Sequence, residues 1–223
     1  LEIIRERRNR PNAEEDLLSM LLAAQYEETG EGMSDRQLLN EVITLINAGH
    51  ETTATSLAWT WQLLGTHPEV MANVQDEADS AYTRRVFDES LRLCPPGMGL
   101  APRAALEDDE IDGYFIPKGS ILNVAFYFTL RHPEFWKNPE QFDPERFLPE
   151  RVSARPKYAY MPWGAGGHAC IGKSLAVTES AMILSAIARR FHIDLVSTEP
   201  VEIDPRFTLR PKGGINVSLR KRS

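Results

Sequence analysis

The chain has 223 residues, 42% of them hydrophobic, a formal net charge of −7 and two cysteines, Cys94 and Cys170. That length buries a sizeable core as one domain or two, the acidic balance argues against a nucleic-acid binder, and two cysteines exclude a disulfide framework and suit a reducing compartment. No uninterrupted apolar run reaches the roughly 20 residues of a membrane helix and the first residues form no signal peptide, so the visible chain is expected to be soluble and cytoplasmic, with an anchor upstream of its charged helical start left open.

Asn12 and Glu15 form a capping box ahead of Leu17, Leu18, Leu21 and Leu22, which predicts a helix over about 13–26. A second box, Ser34 and Gln37, opens the longest apolar pattern in the chain, a helix over about 35–64 through Leu38, Val42, Leu45, Leu57, Trp61 and Leu64. Its centre, Ala48-Gly49-His50-Glu51-Thr52-Thr53, departs from that pattern. Glycine and β-branched alcohols lower helix propensity there, and threonine hydroxyls that bond backwards bend or open a helix. A solvated patch on a long helix explains the same residues.

Pro68 starts a helix to about 80, and a helix over about 82–93 stops at Pro95-Pro96. The latter carries Glu89 and Arg92 on one face, which in isolation describes an exposed ion pair of little worth. Alternation over 111–128 around Pro117-Lys118-Gly119 predicts a β-hairpin, and the proline- and aromatic-rich stretch 132–150 predicts a meander without regular elements. A helical pattern follows over about 171–191, and short alternating runs at 193–196, 201–203, 207–209 and 215–219 predict small antiparallel strands. Helices dominate, so the fold class is mainly α with small antiparallel β-sheets.

Met161-Pro-Trp163-Gly164-Ala-Gly166-Gly-His168-Ala-Cys170-Ile-Gly172 places one cysteine after glycines, at the first turn of the 171–191 helix. Unpaired amides and the positive end of the helix dipole favour a thiolate at that position. Gly164 to Ala169 also matches the dinucleotide pattern G-x-G-x-x-A, with Asp194 beyond. A Rossmann unit needs a buried strand before its first glycine, and Tyr158 to Trp163 contains a proline that a central strand rejects. A dehydrogenase therefore remains only a remote alternative. A structural zinc lacks a partner cysteine at ligand spacing. What remains is a single thiolate ligand for a cofactor that brings its own in-plane ligands, for which haem is the candidate.

Here the sequence resembles a known family. Trp163-Gly-Ala-Gly-Gly-His-Ala-Cys170-Ile-Gly172 is similar to the F-x-x-G-x-x-x-C-x-G haem-thiolate signature of cytochromes P450. Ala48 to Thr53 resembles the oxygen-activating centre of that family's I helix, Glu89-x-x-Arg92 its K helix and Pro144-Glu-Arg146-Phe147 its meander, all in the family's order.

The resemblance implies a cytochrome P450 fold, specifically its haem-binding C-terminal half with the N-terminal half absent. Residues 1–223 are then one region: I helix about 35–64, K helix about 82–93, meander about 132–150, Cys loop 161–172 and L helix about 171–191. Because the family has a further loop and short helix there, residues are expected to be missing between 80 and 81.

It also implies haem b (iron protoporphyrin IX), an oxidoreductase that binds metal through Cys170, and a monooxygenase taking one oxygen atom from O2 into an apolar substrate. Electrons would come from a donor protein, a ferredoxin or flavoprotein reductase, with Arg84, Arg85 and Lys173 as contacts. Thr52 and Glu51 match the acid–alcohol pair that relays protons, and Gly49 leaves room for oxygen. Glu89, Arg92 and Arg146 match a structural triad. Arg103 and His168 are implied as propionate partners, with His168 standing where the signature has arginine and an ordinary loop histidine as its other explanation. Trp163 replaces phenylalanine, and Gly164 and Gly172 complete the cofactor-binding set. A non-catalytic or truncated haem-binding fragment is the alternative function.

Overall fold

The computed structural model describes residues 1–10, 16–76 and 81–222. The chain divides into two compact units, Leu1–Glu51 and Thr52–Ser223.

In the first unit, α1 (Glu2–Arg8) and α2 (Leu17–Ala23) precede the start of α3 (Asp35–Thr66), the 32-residue helix that continues into the second unit. Arg7 donates to Asp16 at 2.8 Å and to Ser19 at 2.9 Å, and Arg8 meets Asp35 at 3.0 Å. The Ser34–Gln37 box forms: Gln37 Oε1 accepts the Ser34 amide at 2.9 Å, and Ser34 Oγ lies 3.4 Å from the Gln37 amide. The expected box of Asn12 and Glu15 lies outside the described residues. The helix expected from about 13 is shorter, opening at Asp16, whose carboxylate accepts the Ser19 amide at 2.9 Å.

Helix α3 runs unbroken through residues 48–53. Backward hydroxyl bonds occur along it, Thr44 to Asn40, Ser56 to Thr52 and Thr60 to Ser56, and are accommodated without interrupting the helix.

In the second unit α3 is followed by α4 (Pro68–Asp76), α5 (Ala81–Leu93) and, later, α8 (Lys173–Ala188). Their apolar stripes make one core from Leu64, Val74, Val86, Phe87, Leu91, Leu93, Val177, Leu184 and Ala188, closed by Phe142 from the meander. Full burial of such side chains contributes about 1.5–3 kcal/mol each. Trp59 Nε1 donates to the Leu209 carbonyl at 2.7 Å and Thr60 Oγ1 to Ser90 Oγ at 2.9 Å, which fixes α3 against the C-terminal strands and α5.

Among the described residues the strands form four two-stranded antiparallel sheets. The expected hairpin over 111–128 is placed differently. β2 (Asp109–Ile111) pairs with β3 (Tyr114–Ile116) across Asp112-Gly113, with φ of 50° and 81°. A two-residue turn with both φ positive matches the strand twist, and Asp-Gly is the sequence that tolerates it. Pro117-Lys118-Gly119 instead starts the return of β4 (Ile121–Leu122) to β1 (Arg103–Ala104). Residues Phe126–Thr129 are a short helix, α6, not strand.

The meander is also more regular than expected. Pro144–Phe147 is a 3-10 turn opened by Asp143, and Pro149–Ser153 is a helix, α7. In both, proline near the first helical position removes an amide that would otherwise be unpaired. At the C-terminus β5 (Phe191–Leu195) pairs with β8 (Val217–Lys221), and β6 (Ile203–Pro205) pairs with β7 (Leu209–Pro211).

Candidate active site

Glu89 and Arg92 stand three residues apart on α5, and both are fully buried. An isolated carboxylate at such a depth costs several kcal/mol unless paired and hydrogen-bonded. Both conditions are met. Arg92 Nε and Nη2 donate to the two Glu89 oxygens at 2.7 and 2.8 Å, and its remaining N–H groups reach the Leu130, Pro139 and Gln141 carbonyls at 3.0, 2.7 and 3.1 Å. The Asp143 amide donates to Glu89 Oε1 at 3.0 Å. Arg146, from the 3-10 turn, brings Nε to 3.3 Å of the same oxygen without an aligned hydrogen bond, while its Nη2 donates to the Asn138 carbonyl at 3.0 Å. Burial pushes the Glu89 carboxyl upward, opposed by Arg92, the Asp143 amide and Arg146. The pair that its spacing describes as exposed is thus the centre of a buried network joining α5 to the meander.

The cysteine loop follows. Within it Gly164 takes φ of 73°, and Gly166–His168 forms one 3-10 turn. A Cβ on Gly164 would lie 3.4 Å from both the His168 carbonyl and Leu100 Cδ2, so glycine serves its positive φ in a tight place. The loop closes where the Cys170 amide donates to the Trp163 carbonyl at 2.7 Å. Cys170 is a free, exposed thiol. It does not lie in the first turn of α8: Gly172 is the N-cap and the helix starts at Lys173. The helix dipole acts over the first turn and weakens beyond it.

Cys94 contrasts with it, half-buried at the end of α5, where burial pushes the thiol up to about 11 against the pull of Arg131 and Arg92. Arg103 and His168 are both exposed, Arg103 on β1 and His168 in the 3-10 turn. Gly49, Glu51 and Thr52 are consecutive or nearly so on α3; Gly49 is exposed, while Glu51 and Thr52 are half-buried.

One tie has no clear sequence signal. Tyr160 donates its hydroxyl to the Asp88 carbonyl at 3.0 Å and to Asp88 Oδ1 at 2.9 Å, and its ring meets Phe147 and Trp136 edge-on. Burial raises the Asp88 carboxyl, opposed by the Tyr160 hydroxyl and by Arg84, Lys173 and Arg155. These groups line a cleft of about 460 Å³ that also takes in Lys157. Arg84 and Lys173 are exposed at it, whereas Arg85 is paired with Glu145 at 3.5 Å.

A mainly α chain with small antiparallel sheets, carrying a free cysteine on a glycine turn and a buried carboxylate–arginine network, belongs to a definite class. The cytochrome P450 family profile matches residues 1–217, and the chain belongs to that family. It is 41% identical over 207 residues to cyclooctat-9-en-7-ol 5-monooxygenase of Streptomyces melanosporofaciens, covering 86% of this chain and 45% of that protein. To human cytochrome P450 4V2 it is 35% identical over 256 residues, covering 99% and 48%. The crystal structure of the cytochrome P450DA heme domain superposes with a TM-score of 0.92 at 33% identity, over all of this chain and 53% of that one. The chain spans about half the length of the relatives it matches.

The family implies a haem, and the residues present fit one. Among the described residues no group of three or more His, Cys, Asp or Glu side chains is placed to hold a metal. A haem iron brings its in-plane ligands and asks only for axial ones, which the free, exposed Cys170 thiol can supply as thiolate. Trp163 Nε1, in the same loop, is a buried donor without an acceptor. No helix among the described residues is long and apolar enough to cross a membrane.

Proposed function

We propose that the protein of which this chain forms part is a haem-thiolate monooxygenase. It inserts one oxygen atom from O2 into an apolar substrate, using electrons from a donor protein, a ferredoxin or flavoprotein reductase. The observation that carries this reading is the free Cys170 thiol on its glycine turn, in a chain belonging to the cytochrome P450 family. Residues 1–223 would act as one haem-binding region, with residues absent between 80 and 81. The match to human P450 4V2 extending over 256 residues, against 223 here, supports such an absence.

The cofactor in this reading is haem b, which when bound supplies dioxygen activation. Cys170 holds the iron as thiolate, Arg103 and His168 donate to the carboxylate groups of the porphyrin, and Trp163, Gly164 and Gly172 shape the loop around the sulfur. Glu89, Arg92 and Arg146 keep α5 and the meander in register beneath that loop. Thr52 and Glu51 move protons, Thr52 at its hydroxyl and Glu51 at its carboxylate, and Gly49 keeps the helix surface beside them small. Arg84 and Lys173, exposed at the cleft next to α5, offer cations to the electron donor, and Arg85 is a third contact. Met98 and Leu100 border the substrate side and favour an apolar ligand.

The experiment is turnover by the complete protein with its donor under 18O2, using cyclooctat-9-en-7-ol as the first apolar probe. Expected is one labelled oxygen in the product; product oxygen drawn from water contradicts the reading.

A further inference from the structure

Four cations line one cleft of about 460 Å³: Arg84 from α5, Arg155 and Lys157 after α7, and Lys173 at the start of α8. The same lining holds a single carboxylate, Asp88, so in a chain of net charge −7 it carries a formal excess of three positive charges. Asp88 does not pair with them. It accepts from the Tyr160 hydroxyl at 2.9 Å, although Arg84, Lys173 and Arg155 are near enough to pull its carboxyl down against burial. By contrast, Arg85 meets Glu145 at 3.5 Å, Arg151 meets Asp143 at 3.6 Å, and Arg92 and Arg146 share Glu89. Among the described residues, none of the four cleft cations has a carboxylate at ion-pair distance.

Arg155 is the most telling of them. It is half-buried, its Nη2 donates to the Arg146 carbonyl, and its guanidinium lies 4.1 and 4.9 Å from the centroids of the Trp136 and Phe147 rings. Burial lowers its pKa, the mark of a desolvated cation that no carboxylate compensates. Lys157 has only the Tyr158 ring, 5.2 Å from its Nζ. A concave wall lined by one sign of charge concentrates anions. A phosphate monoester carries about −1.5 to −2 charge on three acceptor oxygens at neutral pH, which matches several separate cations better than one carboxylate does. Guanidinium groups also grip phosphate through paired N–H bonds. Phe147, Val152 and Val177 give the cleft an apolar wall for the rest of a ligand, and its volume falls within the roughly 300–1,000 Å³ of small-molecule sites.

We propose that the cleft between α5, α7 and α8 binds an organic phosphate monoester, its phosphate held by Arg84, Arg155, Lys157 and Lys173 and its organic part against Phe147, Val152 and Val177. The site is separate from Cys170 and holds whether or not the electron donor meets two of the same cations.

The test is calorimetric titration of the complete haem-loaded protein with phenyl phosphate at constant ionic strength and neutral pH, with inorganic phosphate and benzoate as comparisons. Expected is one saturable phenyl phosphate site per chain, with both comparison anions about tenfold weaker. Arg84→Gln, and Lys157→Gln combined with Lys173→Gln, should each weaken phenyl phosphate about tenfold. Arg189→Gln, at an exposed arginine outside the cleft, should leave it unchanged. No saturable binding, the result for a cleft that serves the donor protein alone, overturns the proposal. Wild-type affinity in the cleft variants, an equal loss in Arg189→Gln, or either comparison anion binding as tightly as phenyl phosphate does so as well.

Discussion

Tyr160 holds Asp88 twice, through the main-chain carbonyl at 3.0 Å and the carboxylate at 2.9 Å, and so ties the segment leading into the Cys170 loop to α5. Tyr160→Phe keeps the ring contacts and removes both bonds. Loss of about 1–2 kcal/mol is expected, read as a lower denaturant midpoint at unchanged slope.

Asp88 gives this tie a pH dependence. Its carboxyl is raised above the ordinary 3.8 by burial, despite the Tyr160 hydroxyl and nearby cations. A group with a raised folded-state value stabilises fully below its unfolded value, and that contribution is lost as pH rises through the folded value. Asp88→Asn should therefore gain stability relative to wild type as pH rises from below 3.8 toward neutrality. A difference between the two that is flat over this range in denaturant titrations contradicts the assignment.

Glu89 and Arg92 are each other's main neutralising partner at zero exposure. Removing one member of such a pair leaves a bare buried charge, at about 3–5 kcal/mol. Glu89→Ala and Arg92→Ala are expected to purify without haem; normal loading of either, measured by absorbance against protein, refutes the proposed role.

How much of this was legible beforehand differs by element. Helices α3, α4 and α5 follow from apolar periodicity, and the ends of α3 and α5 fall within two residues of the expected ones, because capping and proline signals are local. The Asp112-Gly113 turn is present in the sequence as an Asp-Gly pair, but the Pro-Lys-Gly that begins four residues after Gly113 is the more conspicuous signal. The burial of Glu89 and Arg92 was not readable from their spacing, since it depends on carbonyls at Leu130, Pro139 and Gln141 that lie about 40–50 residues away. The Tyr160–Asp88 tie, 72 residues apart in sequence, left no local trace at all.

Thr52 is proposed to pass protons from its hydroxyl. Thr52→Ala should divert electrons from product to hydrogen peroxide; positioned proton-transfer groups contribute ~10²–10⁴-fold, so product per electron pair is expected to fall by roughly 10²-fold. Coupling equal to wild type, measured as peroxide against product, removes Thr52 from the mechanism.

The two thiols should separate by reactivity. Cys170 is exposed and Cys94 is half-buried with its thiol raised to about 11. Iodoacetamide at neutral pH is expected to modify Cys170 first and Cys94 only slowly, with Cys94 labelling accelerating as pH approaches 11. Haem loading should protect Cys170 without changing Cys94.

The central claim is that Cys170 binds haem iron as thiolate, and the ferrous–CO difference spectrum of the haem-loaded protein tests it most directly. Wild type is expected to show the Soret band at the thiolate-ligated position, and Cys170→His to lose it for the histidine-ligated position. A thiolate-type band that persists in Cys170→His, or its absence from wild type with haem bound, contradicts the account.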